Sequence, residues 1–94
     1  MNVIWKFPLN AATNKIDLPR GAKIVSVGLQ EGDIQLWAAC DPHLPVERRT
    51  IRVVGTGWEL PENYTYLGMV QVGPYVWHVL EILPSQVDID TEQV

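Results

Sequence analysis

RRTIRVVGTGW, residues 48 to 58, decides the reading of this chain. Side chains alternate across a strand with period two, so Arg48, Thr50 and Arg52 share one face while Ile51 and Val53 share the other. An apolar face needs a core, and a cationic face points to solvent or to a charged partner. Gly55 and Gly57 then bracket Thr56 and lead into Trp58. Glycine frees the backbone from side-chain sterics, so the pattern predicts a strand ending in a tight turn whose amides can approach an anion or a neighbouring chain closely.

The same alternation extends in both directions. Upstream, VIWKFPL at 3–9 places Val3, Trp5, Phe7 and Leu9 on one side, and Pro8, which has no amide hydrogen, belongs at a sheet edge or strand end. NAATNKIDLPRG at 10–21 carries turn formers at both ends around a short run from Lys15 to Leu18, which reads as a minor strand because its apolar positions are too few for a helix. The runs at 22–30 and 34–40 are joined by Glu31-Gly32-Asp33 and predict a hairpin. The second run is apolar nearly throughout, so both of its faces are expected to be covered, by the protein itself or by another subunit. Asp41 to Pro45 contains two prolines and must be a loop. Downstream of Trp58, a turn at 59–63 precedes strands at 64–72 and 75–83, joined at Gly73-Pro74, and Gly68 marks a bulge or bend. About six strands, short turns and no helical periodicity predict an all-β fold, a small single-domain barrel or sandwich over residues 1–84. Residues 85–94, SQVDIDTEQV, read as an acidic, flexible tail.

Composition limits the function classes. The chain of 94 residues is 47% hydrophobic and contains four tryptophans, which argues against disorder, and no run reaches the ~18 to 20 apolar residues that cross a bilayer. MNVIWKFPL lacks the basic start, apolar stretch and cleavage site of an export signal, so a cytoplasmic setting is expected. Cys40 is the single cysteine, consistent with a reducing compartment and a core thiol. Net charge is −4, unevenly spread: residues 1–52 hold all seven basic side chains against five acids, while 53–94 hold six acids and no Lys or Arg. General nucleic-acid binding needs a basic surface and is not expected.

Few residues carry recognisable chemistry. A guanidinium matches phosphate or carboxylate oxygens, and Arg48 and Arg52, four positions apart on a strand, stand about 13 Å from each other, a spacing suited to two phosphates rather than one. The competing reading is surface pairing with Glu47, Glu31 or the acidic tail. Exposed rings can stack on bases or fill an interface; Trp5 and Trp37 are expected in the core, whereas Trp58, Tyr64, Tyr66 and Tyr75 stand at strand ends. His43 and His78 have neither the partners of a nucleophile triad nor a clustered ligand pattern, so no catalytic residue, metal or cofactor is expected and His78 reads as structural. The candidate ligand-binding set is Arg48, Arg52, Gly55, Thr56, Gly57 and Trp58.

VIWKFPL at 3–9, LPRGAKIVSVGLQEG at 18–32, LWAACDP at 36–42, RTIRVVGTGWEL at 49–60 and VWHVLE at 76–81 together resemble a family of small uncharacterised proteins of tailed bacteriophages and prophages. The resemblance covers nearly the whole chain up to Glu81 and implies a phage origin and the host cytoplasm, but it transfers no activity, cofactor or site residue. By analogy of lifestyle, it raises the expectation of a homo-oligomer that binds and sequesters an anionic nucleotide signal of host defence without catalysis. The alternative is a protein-interaction or virion-associated component that docks on another polypeptide. Removing residues 85–94 is expected to move the melting temperature by little in thermal denaturation, since a polar tail buries nothing; a drop of many degrees would make it an ordered element.

Overall fold

The computed structural model describes residues 2–84, so the expectation of a flexible tail lies outside the described residues. Seven strands run in chain order: β1 Val3–Leu9, β2 Ala12–Pro19, β3 Lys23–Gln30, β4 Asp33–Cys40, β5 Val46–Gly55, β6 Tyr64–Val72 and β7 Tyr75–Ile82. They form two antiparallel sheets, β1-β4-β3 and β2-β5-β7-β6. The architecture is sandwich-like rather than a closed barrel, with the core between the sheets. Leu36, Ala38 and Cys40 enter it from the first sheet, and Ile16, Leu18, Ile51, Val53 and Val79 from the second. No helix among the described residues is long and apolar enough to cross a membrane.

Local chemistry explains the connections. Glu31 and Gly32 both take positive φ, 52° and 84°, and Gln30 pairs with Asp33. The β3–β4 hairpin is therefore a two-residue turn in which both central residues need φ > 0, and Asp33 belongs to the strand. The two-residue β6–β7 turn needs φ > 0 only at its first central residue, Gly73 at 58°, since Pro74 is fixed at negative φ. A bulge between Ile24 and Ser26 explains the imperfect alternation of β3: it leaves Val25 exposed and returns Val27 to the core side, where it packs. The bulge expected at Gly68 is present between Tyr66 and Gly68. Its cause is contact between the sheets, because a β-carbon there would lie 2.6 Å from Val27 Cγ2. Only glycine lets β6 approach β3 this closely.

The seventh strand is the main departure from the sequence expectation. The segment expected to hold a minor strand from Lys15 to Leu18 pairs with β5 along its whole length, from Ala12↔Val53 to Pro19↔Val46. Ile16 and Leu18 are buried, and Asn14 secures the entry turn, its Oδ1 accepting from Asn10 N at 2.8 Å and its Nδ2 donating to Asn10 O at 2.9 Å. Local composition limits the strand to its middle because the strand character of its ends comes from the partner. Strand β4 is covered on its core face by the second sheet; on the opposite face Gln35 is buried, and Lys6 Nζ donates to Gln30 Oε1 at 2.7 Å, reaching across β4 from β1 to β3. Trp5 and Trp37, expected in the core, are half-buried against it.

Arg49 holds the end of the core. Alternation places it on the side of Ile51 and Val53, where its Nε and Nη2 donate to Glu81 Oε2 and Oε1 at 2.6 and 2.7 Å and its Nη1 donates to the Ala22 carbonyl at 2.6 Å. The side chains are only 18% and 15% exposed, and the bond to Glu81 raises the Arg49 guanidinium above its ordinary pKa. Arg49→Met is expected to lower stability by on the order of 3 kcal/mol, because Glu81 is then a poorly solvated charge without its partner. That corresponds to a fall of about 12 to 24 °C for a domain of this size. Thermal denaturation of Arg49→Met beside Arg49→Met/Glu81→Met checks it: the double variant should recover much of the loss, and an unchanged single variant would mean that the clasp contributes nothing.

Candidate ligand-binding site

Strand β5 runs the length of the second sheet, and its two ends serve different surroundings. At its start, Arg48 Nε donates to Asp17 Oδ1 at 3.1 Å on β2. Both side chains are well exposed, and the Asp17 contact raises the guanidinium above its usual pKa. A surface pair of the kind named as the competing reading is present for Arg48, but with Asp17 rather than with Glu47, Glu31 or the tail. Arg48 also borders a polar hollow of about 650 Å³ that includes Arg49, Gly21 and Glu81.

At the other end, Gly55 to Trp58 form a tight turn closed by Trp58 N donating to Gly55 O at 3.1 Å. Gly57 has φ 92°, as the third residue of a type II turn requires. The Trp58 amide is thus engaged within the turn. Gly55 is glycine for a packing reason: a β-carbon would lie 2.9 Å from Trp58 Nε1. The indole folds back over it and meets Trp77 edge-on, with centroids 5.5 Å apart at 90°.

Three hollows adjoin this ring. On one side Trp58, Trp77, Pro74 and Tyr75 border an open groove of about 700 Å³. On another, Trp58, Thr56, Tyr64, Tyr66 and His78 line a smaller hollow of about 270 Å³. The third, about 250 Å³, places Arg52 and Glu59 beside Trp58. Arg52 is half-exposed and makes no ion pair or side-chain hydrogen bond among the described residues. Of the six residues singled out from sequence, the fold gathers Arg52, Gly55, Thr56, Gly57 and Trp58, and leaves Arg48 at the far end of β5.

The fold also adds residues that sequence reasoning missed. His78, expected to be structural, has a hydroxyl on each ring nitrogen: Thr56 Oγ1 is 2.9 Å from Nε2, and Tyr66 Oη is 2.7 Å from Nδ1. Register brings this about, since Val54 lies opposite His78 on β7 and Met69 opposite it on β6. Alternation of YVWHVLEI already separates His78 from Trp77 and Val79, but nothing local to β7 announces the two hydroxyls. Among the described residues no group of three or more His, Cys, Asp or Glu is placed to hold a metal ion.

The model of a domain family of unknown function, DUF7352, matches residues 1–89. The chain belongs to this family. No curated protein and no solved structure matches it. In this DUF7352 chain the Trp58 turn and the hollows around it mark the candidate site. Gly55→Ala is expected to displace the Trp58 indole, because the added carbon occupies its place, and so to weaken the near-ultraviolet circular dichroism that the Trp58–Trp77 pair contributes while the far-ultraviolet β signal stays. An unaltered near-ultraviolet spectrum would mean that the indole does not depend on Gly55.

Proposed function

We propose that the protein is a non-catalytic binding module for a small anionic nucleotide, held at the β5–β6 turn. One observation carries the reading: Arg52, a half-exposed cation without an ion-pair partner among the described residues, shares Trp58 with a hollow walled by Thr56, Tyr66 and His78. An indole face accepts any base by stacking, worth roughly 1 to 3 kcal/mol, and a guanidinium beside it meets phosphate oxygens. Arg48 contributes less, because its charge is already engaged by Asp17. In the phage setting that the sequence resemblance implies, such a module sequesters a nucleotide signal of host defence in the host cytoplasm.

A protein-docking role is the second reading, favoured by the exposure of Tyr66 at 52% and Met69 at 53%, both beside His78 on one face of the sheet. Large exposed apolar groups mark interfaces, and either role is compatible with a homo-oligomer, which light scattering measures.

Calorimetry with cyclic dinucleotides and ADP-ribose derivatives tests the nucleotide reading. Arg52→Ala is expected to weaken binding roughly ten-fold to a hundred-fold, the loss of a charge-assisted contact of about 1.5 to 3 kcal/mol. Melting should change little, since an exposed arginine contributes about 0 to 1 kcal/mol to stability. Arg20→Ala, on the β2–β3 turn, should leave affinity intact. No heat with any of these ligands overturns the nucleotide reading and leaves protein docking ahead; undiminished affinity in Arg52→Ala moves the site elsewhere.

A further inference from the structure

The Thr56–His78–Tyr66 chain is more than a scaffold for the hollow, because its hydrogen count depends on the charge of the imidazole. Each hydroxyl has one hydrogen and can either donate to a ring nitrogen or accept from it. Thr56 Oγ1 also lies 3.4 Å from the Val76 carbonyl, which can only accept. With the Thr56 hydrogen on Val76 O, Thr56 Oγ1 accepts from His78 Nε2–H. In the neutral ring Nδ1 then carries the lone pair, and the Tyr66 hydroxyl, 2.7 Å away, donates to it. The one hydrogen of Tyr66 is spent on the ring.

Protonation reverses that bond. The imidazolium donates from both nitrogens, Tyr66 Oη becomes an acceptor, and the hydroxyl hydrogen turns outward. Tyr66 is 52% exposed and its ring lines the hollow, so the released hydrogen becomes a donor for an oxygen bound there. On these grounds we infer that an anion bound in this hollow takes up one proton at His78 and is held by the Tyr66 hydroxyl that this proton releases. The inference rests on the nucleotide reading for the identity of the ligand and adds how its phosphate is read.

The surroundings permit it. Val54 and Met69 flank His78 on the neighbouring strands and carry no charge. Tyr64 and Trp58 complete the ring of aromatic walls, and the lining of the hollow includes no carboxylate. Arg52 and Glu59, of opposite sign, share the adjoining hollow. An incoming anion is therefore the group that favours the imidazolium, by charge and by accepting the released hydrogen. Affinity is greatest where His78 is protonated and falls as pH rises through its titration.

Nitrogen-detected NMR of the imidazoles in the full chain, with inorganic pyrophosphate as the probe and His43 as an internal reference, tests this. Neutral His78 is expected as the Nε2–H tautomer. If the imidazolium form binds about ten-fold more tightly, saturation raises the His78 midpoint by about one pH unit. Tyr66→Phe should remove the part of that rise that comes from the released hydrogen and leave only the smaller part due to charge, while the β spectrum and the His43 signals stay as in wild type. A midpoint unmoved at saturation, an equal rise in Tyr66→Phe, the Nδ1–H tautomer, or no pyrophosphate binding at any pH would each overturn the inference. ADP-ribose in a parallel titration separates it from the broader reading. A response to pyrophosphate without nucleotide binding keeps the proton linkage and removes the nucleotide, whereas nucleotide binding with an unmoved His78 does the reverse.

Discussion

The Arg49–Glu81 clasp is the constraint on which the arrangement of the two sheets depends. A guanidinium on the core side of β5 is tolerable only if its donors are satisfied, and here one fork meets a carboxylate on β7 while the remaining nitrogen meets the Ala22 carbonyl where the chain enters β3. Three segments are thereby held at one point: the two central strands of the second sheet and the crossover into the first. A Lys there would lack the planar fork that serves all three. With this end fixed, the opposite end of β5 is free to carry an irregular turn.

That turn shows how small residues position large ones. Gly55 leaves space for the Trp58 indole, Gly57 supplies the φ that closes the turn, and the indole then rests on Trp77. The rings cluster without a deep cavity: Trp58 remains 51% exposed, and three hollows adjoin it. A surface of this kind suits flat, charged molecules that stack and are gripped at one side.

Much of the fold was legible in the sequence because period-two alternation and turn chemistry are local signals. Both hairpins, the bulge at Gly68, the loop at 41–45 and the outward face of Arg48, Thr50 and Arg52 follow from residues within a few positions of one another. The full length of β2 did not, since Ala12, Thr13 and Asn14, outside the short run from Lys15 to Leu18, become strand residues only through β5. The site was half legible for a similar reason. GTGW marks its own turn, but Arg48 and Arg52 share a face without sharing a site, and the register that sets Tyr66 and Thr56 on His78 joins three separate segments. Arg49 and Glu81 were the readable surprise, because alternation alone puts both on the core side, and two opposite charges there require each other.

The order of strands also determines how the chain reaches this state. Strands β3 with β4 and β6 with β7 are hairpins that close through a few residues, whereas β1 joins β4 from Val3↔Cys40 and β2 joins β5 from Ala12↔Val53. Loop-closure entropy delays such distant pairings until the hairpins are in place. The two strands added last in this sense each form one edge of a sheet, and Pro8 and Pro19 sit near their termini with no amide hydrogen to offer. While the molecule waits for its own β1 and β2, the exposed sides of β4 and β5 are its most vulnerable surfaces, and the period of risk for misassociation is set by the search for those two strands rather than by collapse of the core.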